Sequence, residues 1–281
     1  MKKTRIFALL LGGIFSLGIS GCSTKIPVQK EVGQLNLQYQ NSKEDNANPQ
    51  SIAIVDPKFE IPSDSQAQGY LTHPITGQKI PINQHSQFSF NSQFNNTYAD
   101  RTLQAMRSEF EEILTSKGFR ILGPYQSFDD MPYSDKKKAY LSLIPEIKIN
   151  FDTKTTNMEQ ERLYVTQKGI LQVSGEMVIY VTEPLTKEKI MTKRINLSDF
   201  NIAKPFIRQY QTRTKTGGIT GAALDKATAP ESLVDNTDKA MTEAINEFYA
   251  QAMTKIDRYL ATEEIMAYQK DIESLKNLKR F

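Results

Sequence analysis

The chain has 281 residues, with 35 Lys and Arg against 32 Asp and Glu, a single cysteine and no tryptophan. Three of the bases, Lys2, Lys3 and Arg5, fall within the first 21 residues, which hold no acid, so the rest of the chain balances at 32 against 32. That balance excludes the broad basic footprint of a nucleic-acid-binding protein, and the length suits one sizeable core or two small ones.

The N-terminus carries the strongest local signal. Lys2, Lys3 and Arg5 precede an apolar stretch from Ile6 to Leu17, broken only by Gly12, Gly13 and Ser16, and Ile19-Ser20-Gly21-Cys22 supplies small residues at a cleavage position. A membrane span needs roughly 20 apolar residues, more than this stretch offers. Apolar, small, small, Cys resembles the lipobox of bacterial lipoproteins, in which Cys22 is lipidated and becomes the mature N-terminus. Thioether linkage to lipid also removes a lone thiol that would be a liability in an oxidising compartment. Several acyl chains, at about 0.8 kcal/mol per buried methylene, make such an anchor effectively permanent. Ser23 stands where an inner-membrane retention signal would place Asp, which resembles sorting to the outer membrane. The expected organisation is a signal peptide over 1–21, a lipidated tether over 22–50 and a single α+β domain over 51–281.

Within the polar tether, Leu35-Asn36-Leu37-Gln38-Tyr39 alternates like a short strand. Ser51-Ile52-Ala53-Ile54-Val55 reads as a buried strand ended by Asp56-Pro57. Residues 61–96 read as a long insertion rich in Gln, Asn, Ser and Pro, a binding loop or a disordered one, and hold both histidines, His73 and His85. Asn96-Thr97 offers a helix N-cap. Apolar residues then recur at Leu103, Met106, Phe110, Ile113 and Leu114, and Gly118 can close the helix. A short strand follows at Phe119–Leu122, then a helix over Ser127–Lys138.

Leu141, Leu143, Pro145, Ile147, Ile149 and Phe151 alternate with polar residues, as do Leu171, Val173, Met177, Ile179 and Val181; a third strand runs from Lys189 to Leu197. Period 2 with one wet face predicts an antiparallel sheet of long strands covered by amphipathic helices. Residues 201–231 read as irregular. Two C-terminal helices close the chain, with stripes at Met241, Ile245, Phe248, Ala252, Ile256 and Leu260, then at Ile265, Tyr268, Ile272 and Leu275.

No catalytic residue, metal site or cofactor is predicted. Two histidines 12 apart match no zinc spacing, and the Gly217–Gly221 run lacks the Gly-Lys-Ser/Thr ending of a phosphate loop. The best candidate for a ligand is Arg208-Gln209-Tyr210-Gln211-Thr212-Arg213-Thr214-Lys215. Alternation puts Arg208, Tyr210 and further bases such as Arg213 and Lys215 where guanidinium forks and a phenol ring could clamp a carboxylated sugar. The alternative is a basic loop facing anionic lipid or solvent.

Lys117-Gly118-Phe119-Arg120-Ile121-Leu122, Lys137-Lys138-Ala139-Tyr140-Leu141-Ser142-Leu143, Glu183-Pro184, Leu197-Ser198-Asp199-Phe200-Asn201-Ile202, Tyr268-Gln269-Lys270-Asp271 and Leu275-Lys276 follow in a telling order. Together they resemble the neuraminyllactose-binding hemagglutinin family, also called flagellar sheath adhesins, over about residues 100–278 and the lipoprotein N-terminus. The resemblance implies an outer-membrane lipoprotein, found also on sheathed flagella, whose partners are the membrane and sialylated host glycans. The family's basic sialic-acid stretch would fall just after the first long strand, where this chain keeps Lys154 and Thr155 but adds Glu159 and Glu161, charges that repel a carboxylated sugar. A periplasm-facing assembly lipoprotein that holds partner proteins is the competing reading, and a homodimer is open under either.

Overall fold

A computed structural model describes residues 25–41, 43, 48–62, 70–72, 79–81, 88–161, 163–211 and 229–278. Cys22, both histidines, Arg213, Lys215 and the Gly217–Gly221 run lie outside these residues. In chain order the elements are β1 (Val28–Lys30), β2 (Ser51–Val55), β3 (Lys58–Glu60), β4 (Tyr70–Thr72), β5 (Lys79–Pro81) and α1 (Phe90–Gln93). A π turn (Phe94–Tyr98) joins α1 to α2 (Ala99–Ser116), followed by β6 (Arg120–Tyr125), α3 (Tyr133–Lys138), β7 (Ala139–Gln160), β8 (Tyr164–Thr182) and β9 (Lys189–Asn196). A 3-10 turn (Leu197–Phe200) leads to β10 (Ala203–Gln211), β11 (Leu233–Asp235), α4 (Thr237–Tyr259), α5 (Thr262–Met266) and α6 (Gln269–Leu278).

The α+β class holds, but the sheet is mixed rather than antiparallel. β7, β8, β9 and β10 pair antiparallel, whereas β2 lies parallel to both β6 and β7, β3 parallel to β7 and β1 parallel to β11. The main path runs β1-β11-β10-β8-β7-β2-β6, with β3 beside β7, β9 beside β8, and β4 with β5 forming a separate pair. After Ser51 the β2 run Ile-Ala-Ile-Val is apolar because both faces of the strand are covered: Ile52 and Ile54 join the main core, and Ala53 packs on the other side with Met131 and Ala139.

On β7 and β8 the expected alternation is realised. Leu141, Leu143, Ile147, Ile149 and Phe151 share a buried face with Val173, Met177, Ile179 and Val181. Over that face lie Met106, Phe110, Ile113 and Leu114 of α2 and Met241, Ile245, Phe248, Ala252 and Ile256 of α4. Each large side chain so buried contributes about 1.5–3 kcal/mol. Glu146, Lys148 and Asp152 point to the wet face. Gly175, at φ +123, lets β8 approach β7 where a Cβ would run into the Lys148 carbonyl oxygen.

Helix α2 ends as expected. Gly118 takes φ +84, its N–H donates to the Thr115 carbonyl and the Phe119 N–H donates to the Leu114 carbonyl, a Schellman closure. The helical run starts earlier than Asn96-Thr97: Ser89 caps α1, accepting from the Ser92 N–H, and Phe90, Phe94 and Tyr98 recur every fourth residue on the buried side. The helix expected over Ser127–Lys138 shrinks to α3, because Pro132 sets its start and Ser127 is occupied in a turn, donating to Asp130 at 2.7 Å. Residues 203–211, expected to be irregular, form β10 against the first half of β8. The last helix divides into α5 and α6, with Ile265 and Ile272 both buried.

The described part of the 22–50 segment packs along the body. Ile26 is buried with Leu163 and Leu233, and Leu35, Leu37 and Tyr39 lean on the main core. The Gly33 N–H donates to Asp238, the Asn36 N–H to Asn246, and the Tyr39 hydroxyl to Asp257, so these residues follow α4 from its first turn to its last. No strand forms over 35–39, because backbone partners come from helix side chains. The segment ends on a buried polar cluster. Lys117 Nζ lies 2.6 Å from Asp257 Oδ1 and donates to the Asp257 carbonyl at 2.8 Å. Nearby, the Tyr249 hydroxyl donates to the Ala105 carbonyl at 3.2 Å and lies 3.4 Å from Glu109.

Candidate functional site

The candidates read from the sequence lie on two separate strands. Alternation along β10 places Arg208 and Tyr210 on one face, as expected: the guanidinium stands 5.0 Å from the Tyr210 ring centre and 4.8 Å from that of Phe88. Asp235 is its register partner on β11. Burial pulls the Arg208 pKa down, opposed by Asp235 and Tyr210. Arg208 is therefore a stacked, half-buried cation rather than a fork extended to solvent.

Lys154 and Thr155 lie on β7 itself, exposed, paired with Ile170 and Gly169 of β8. The stretch expected just after the first long strand lies within it, because that strand continues to Gln160. β8 separates β7 from β10, which sets the backbones about 10 Å apart. Lys154 pairs with Ile170 and Arg208 with Gln167, positions of opposite parity, so the two side chains leave opposite faces of the sheet. These candidates do not converge.

A different set does. An open cleft of ≈ 720 Å³ lies at the free edge of β3, lined by Phe59, Glu60, Ile61 and Pro62, by Asn91, Ser92 and Asn95 from α1 and the π turn, and by Lys148 of β7. Three chain-distant elements meet there because β3 pairs with β7 at Lys148 while α1 crosses the end of both. One wall is apolar: Phe59 packs edge-on against Phe94 at 5.2 Å, and Phe94 against Phe151 at 4.7 Å.

The opposite wall is polar, with Asn91 held in place by a hydrogen-bonded row behind it. Asn91 Oδ1 accepts the Phe151 N–H at 2.8 Å, which satisfies a donor on the free edge of β7, and its Nδ2 donates to Asn150 Oδ1 at 2.8 Å. Asn150 donates in turn to Asp152 at 2.6 Å, and Ser174 donates to the other Asp152 oxygen at 2.5 Å. Asn91 is thereby locked in one orientation, and Asn95 is exposed at the mouth.

Lys148 Nζ meets Glu60 at 3.0 Å, and that hydrogen bond raises the lysine pKa. Both side chains are well exposed, 62% and 70%, so water screens the pair and it adds little to stability. A ligand carboxylate can replace Glu60 at little cost. Glu60 is the only titratable acid among the described lining residues, which hold no histidine or cysteine, so the cleft offers hydrogen bonds, one ammonium and an apolar wall.

Sequence reasoning missed Asn91, Asn95 and Lys148. Phe90, Phe94 and Tyr98 at four-residue spacing were the available signal that a helix, and not a loop, presents the two asparagines.

A family model described as neuraminyllactose-binding hemagglutinin precursor matches residues 70–279. A Helicobacter pylori protein named neuraminyllactose-binding hemagglutinin is 26% identical over 278 residues, covering 95% of this chain and 92% of its own length. A second, from another strain of that organism, is 26% identical over 200 residues, covering 68% and 74%. A crystal structure of a homolog of that hemagglutinin from Helicobacter pylori superposes with a TM-score of 0.53 at 16% identity, covering 84% of this chain and 99% of that one, and so shares the fold. With three quarters of its length under the family model, this chain belongs to the neuraminyllactose-binding hemagglutinin family.

Proposed function

We propose that the protein is a lipid-anchored adhesin of the outer membrane that binds an acidic, sialylated glycan in the cleft between β3, α1 and β7. It acts by binding, without turnover. The ligand class comes from the names of its relatives, and the anchor from the lipobox at Cys22. The observation that supports the site is the meeting of an exposed ammonium, the amides of Asn91 and Asn95 and an apolar wall in one open cleft. Sugar rings present a hydroxylated rim and an apolar C–H face. Asn95 and Asn91 suit the rim, Phe59, Ile61 and Pro62 suit the face, and Lys148 takes the carboxylate when Glu60 is displaced.

Retention of the mature chain on sialyllactose beads against lactose beads tests this reading. Greater retention on sialyllactose is expected, reduced severalfold by Lys148→Ala or Asn95→Ala in chains with unchanged circular dichroism. Equal retention on the two beads ends the sialic-acid assignment; full retention by both variants moves the ligand away from the cleft.

A further inference from the structure

The direction of β1 fixes where the anchor leaves the body. β7 runs toward the β7–β8 turn, and β8, β10 and β11 follow in alternating directions, so β1, parallel to β11, runs back from that turn. Its start, and Ile26 before it, therefore lie at the turn end of the molecule. Ile26 is seated there between Leu163 and Leu233, its N–H donating to Gln211 at 3.3 Å, and the Pro27 carbonyl accepts the Leu233 N–H at 2.8 Å. Only Ser23, Thr24 and Lys25 separate Ile26 from Cys22. Four extended residue steps span at most about 14 Å.

Two of the four large apolar side chains exposed among the described residues follow β1 along this edge, Val28 at 45% and Val32 at 76%, while Val234 at 36% leaves the other face of the sheet because its register partner is Gln29. Lys25 and Lys30 stand exposed beside them. The fourth, Tyr133 at 68%, lies on α3 just before β7 begins, the far end of a strand up to about 70 Å long.

We propose that the β1 edge is a membrane-seating surface, with Val28 and Val32 against the phospholipid leaflet that holds the acyl chains and Lys25 and Lys30 among its headgroups. The occupant follows from the short reach of the linker: an acylated Cys22 lies at the headgroup boundary, a layer about 5–7 Å deep, so a body seated within 14 Å of it rests on the leaflet. Valine takes the apolar side of that boundary and lysine the anionic side. Seating on this edge sets five strand spacings, about 24 Å, between β1 and the cleft at β3 on the far side of β7. The inference rests on acylation of Cys22, which the test reads separately.

The acylated full-length mature protein is reconstituted in vesicles of equal parts phosphatidylethanolamine and phosphatidylglycerol containing a headgroup-depth spin-labelled lipid. Because the native sulfur is consumed by lipid, Val28→Cys, Val32→Cys and Tyr133→Cys each carry a unique fluorophore. Severalfold stronger lipid quenching at 28 and 32 than at 133 is expected. An acylated protein quenched equally weakly at all three positions overturns the seating alone. An unacylated Cys22, read by intact mass, overturns the anchor and the seating with it. Quenching at 28 and 32 that follows protein density and not the spin-labelled lipid assigns the edge to a second copy, and also overturns the proposal.

Discussion

Replacing Lys117 with methionine tests the buried cluster that receives the N-terminal segment. Lys117 is 2% exposed, and its ammonium makes both a 2.6 Å ion pair with Asp257 and a 2.8 Å hydrogen bond to the Asp257 carbonyl. Methionine fills a similar volume but takes the ammonium away from the Asp257 carboxylate, which is only 10% exposed and keeps the Tyr39 hydroxyl at 3.0 Å. Removing one partner of a buried pair costs about 3–5 kcal/mol, most of it the desolvation of the survivor. At about 2–4 °C per kcal/mol for a chain of this size, Tm falls by roughly 6–20 °C. Urea and thermal unfolding of the mature chain with Cys22→Ser, followed by circular dichroism, supply the numbers. Lys117→Met with Asp257→Leu removes the stranded charge as well and recovers most of the loss, within about 1 kcal/mol of the parent. A single variant that loses less than about 1 kcal/mol, or a double variant worse than the single, refutes the account of a desolvated, mutually dependent pair.

Three further perturbations have defined signs. Gly118→Ala forces a side chain into the left-handed region at the α2 terminus and destabilises by about 1–2 kcal/mol, read as a shift in urea midpoint at constant slope. Gly175→Ala sets a Cβ against the Lys148 carbonyl at a φ that side chains avoid, costing more than about 2 kcal/mol and broadening the Lys148 and Asn150 signals in NMR spectra. Burial foremost, then Glu112, raises the Glu109 pKa above its ordinary 4.5 in the fold. Folding thus favours the protonated acid, so the stability it contributes is complete below 4.5 and is lost as pH rises through the folded value. Glu109→Gln accordingly melts higher than the parent at pH 7, and the two curves converge as the pH is lowered past 4.5.

Elements whose periodicity is local were legible in the sequence. The alternations on β7 and β8, the α2 stripe with Gly118 and the α4 stripe each depend on one face meeting one kind of neighbour. β10 was hidden because Pro205 and its polar residues describe a strand half in solvent, where no clean alternation is required. β2 announced its burial but not its parallel partners, since pairing between distant segments leaves no trace in either. Residues 25–41 read as free because their apolar positions are few; they are held instead by side chains of α4 that only the fold brings near. The cleft was illegible for the same reason, as its lysine, its asparagines and its phenylalanine come from three separate stretches.

The pairing of β1 with β11 joins the first strand to one about two hundred residues downstream. The chain is made N-terminus first, so Val28 and Gln29 of β1 must wait for Leu233 and Val234 before their ladder can form. A polypeptide cut short before that point would leave its leading strand unpaired and Asp257 unmade, with Lys117 lacking its counter-charge. Completion of the last helices is thus a condition for fastening the N-terminal segment, and an unfinished molecule would remain open to proteolysis.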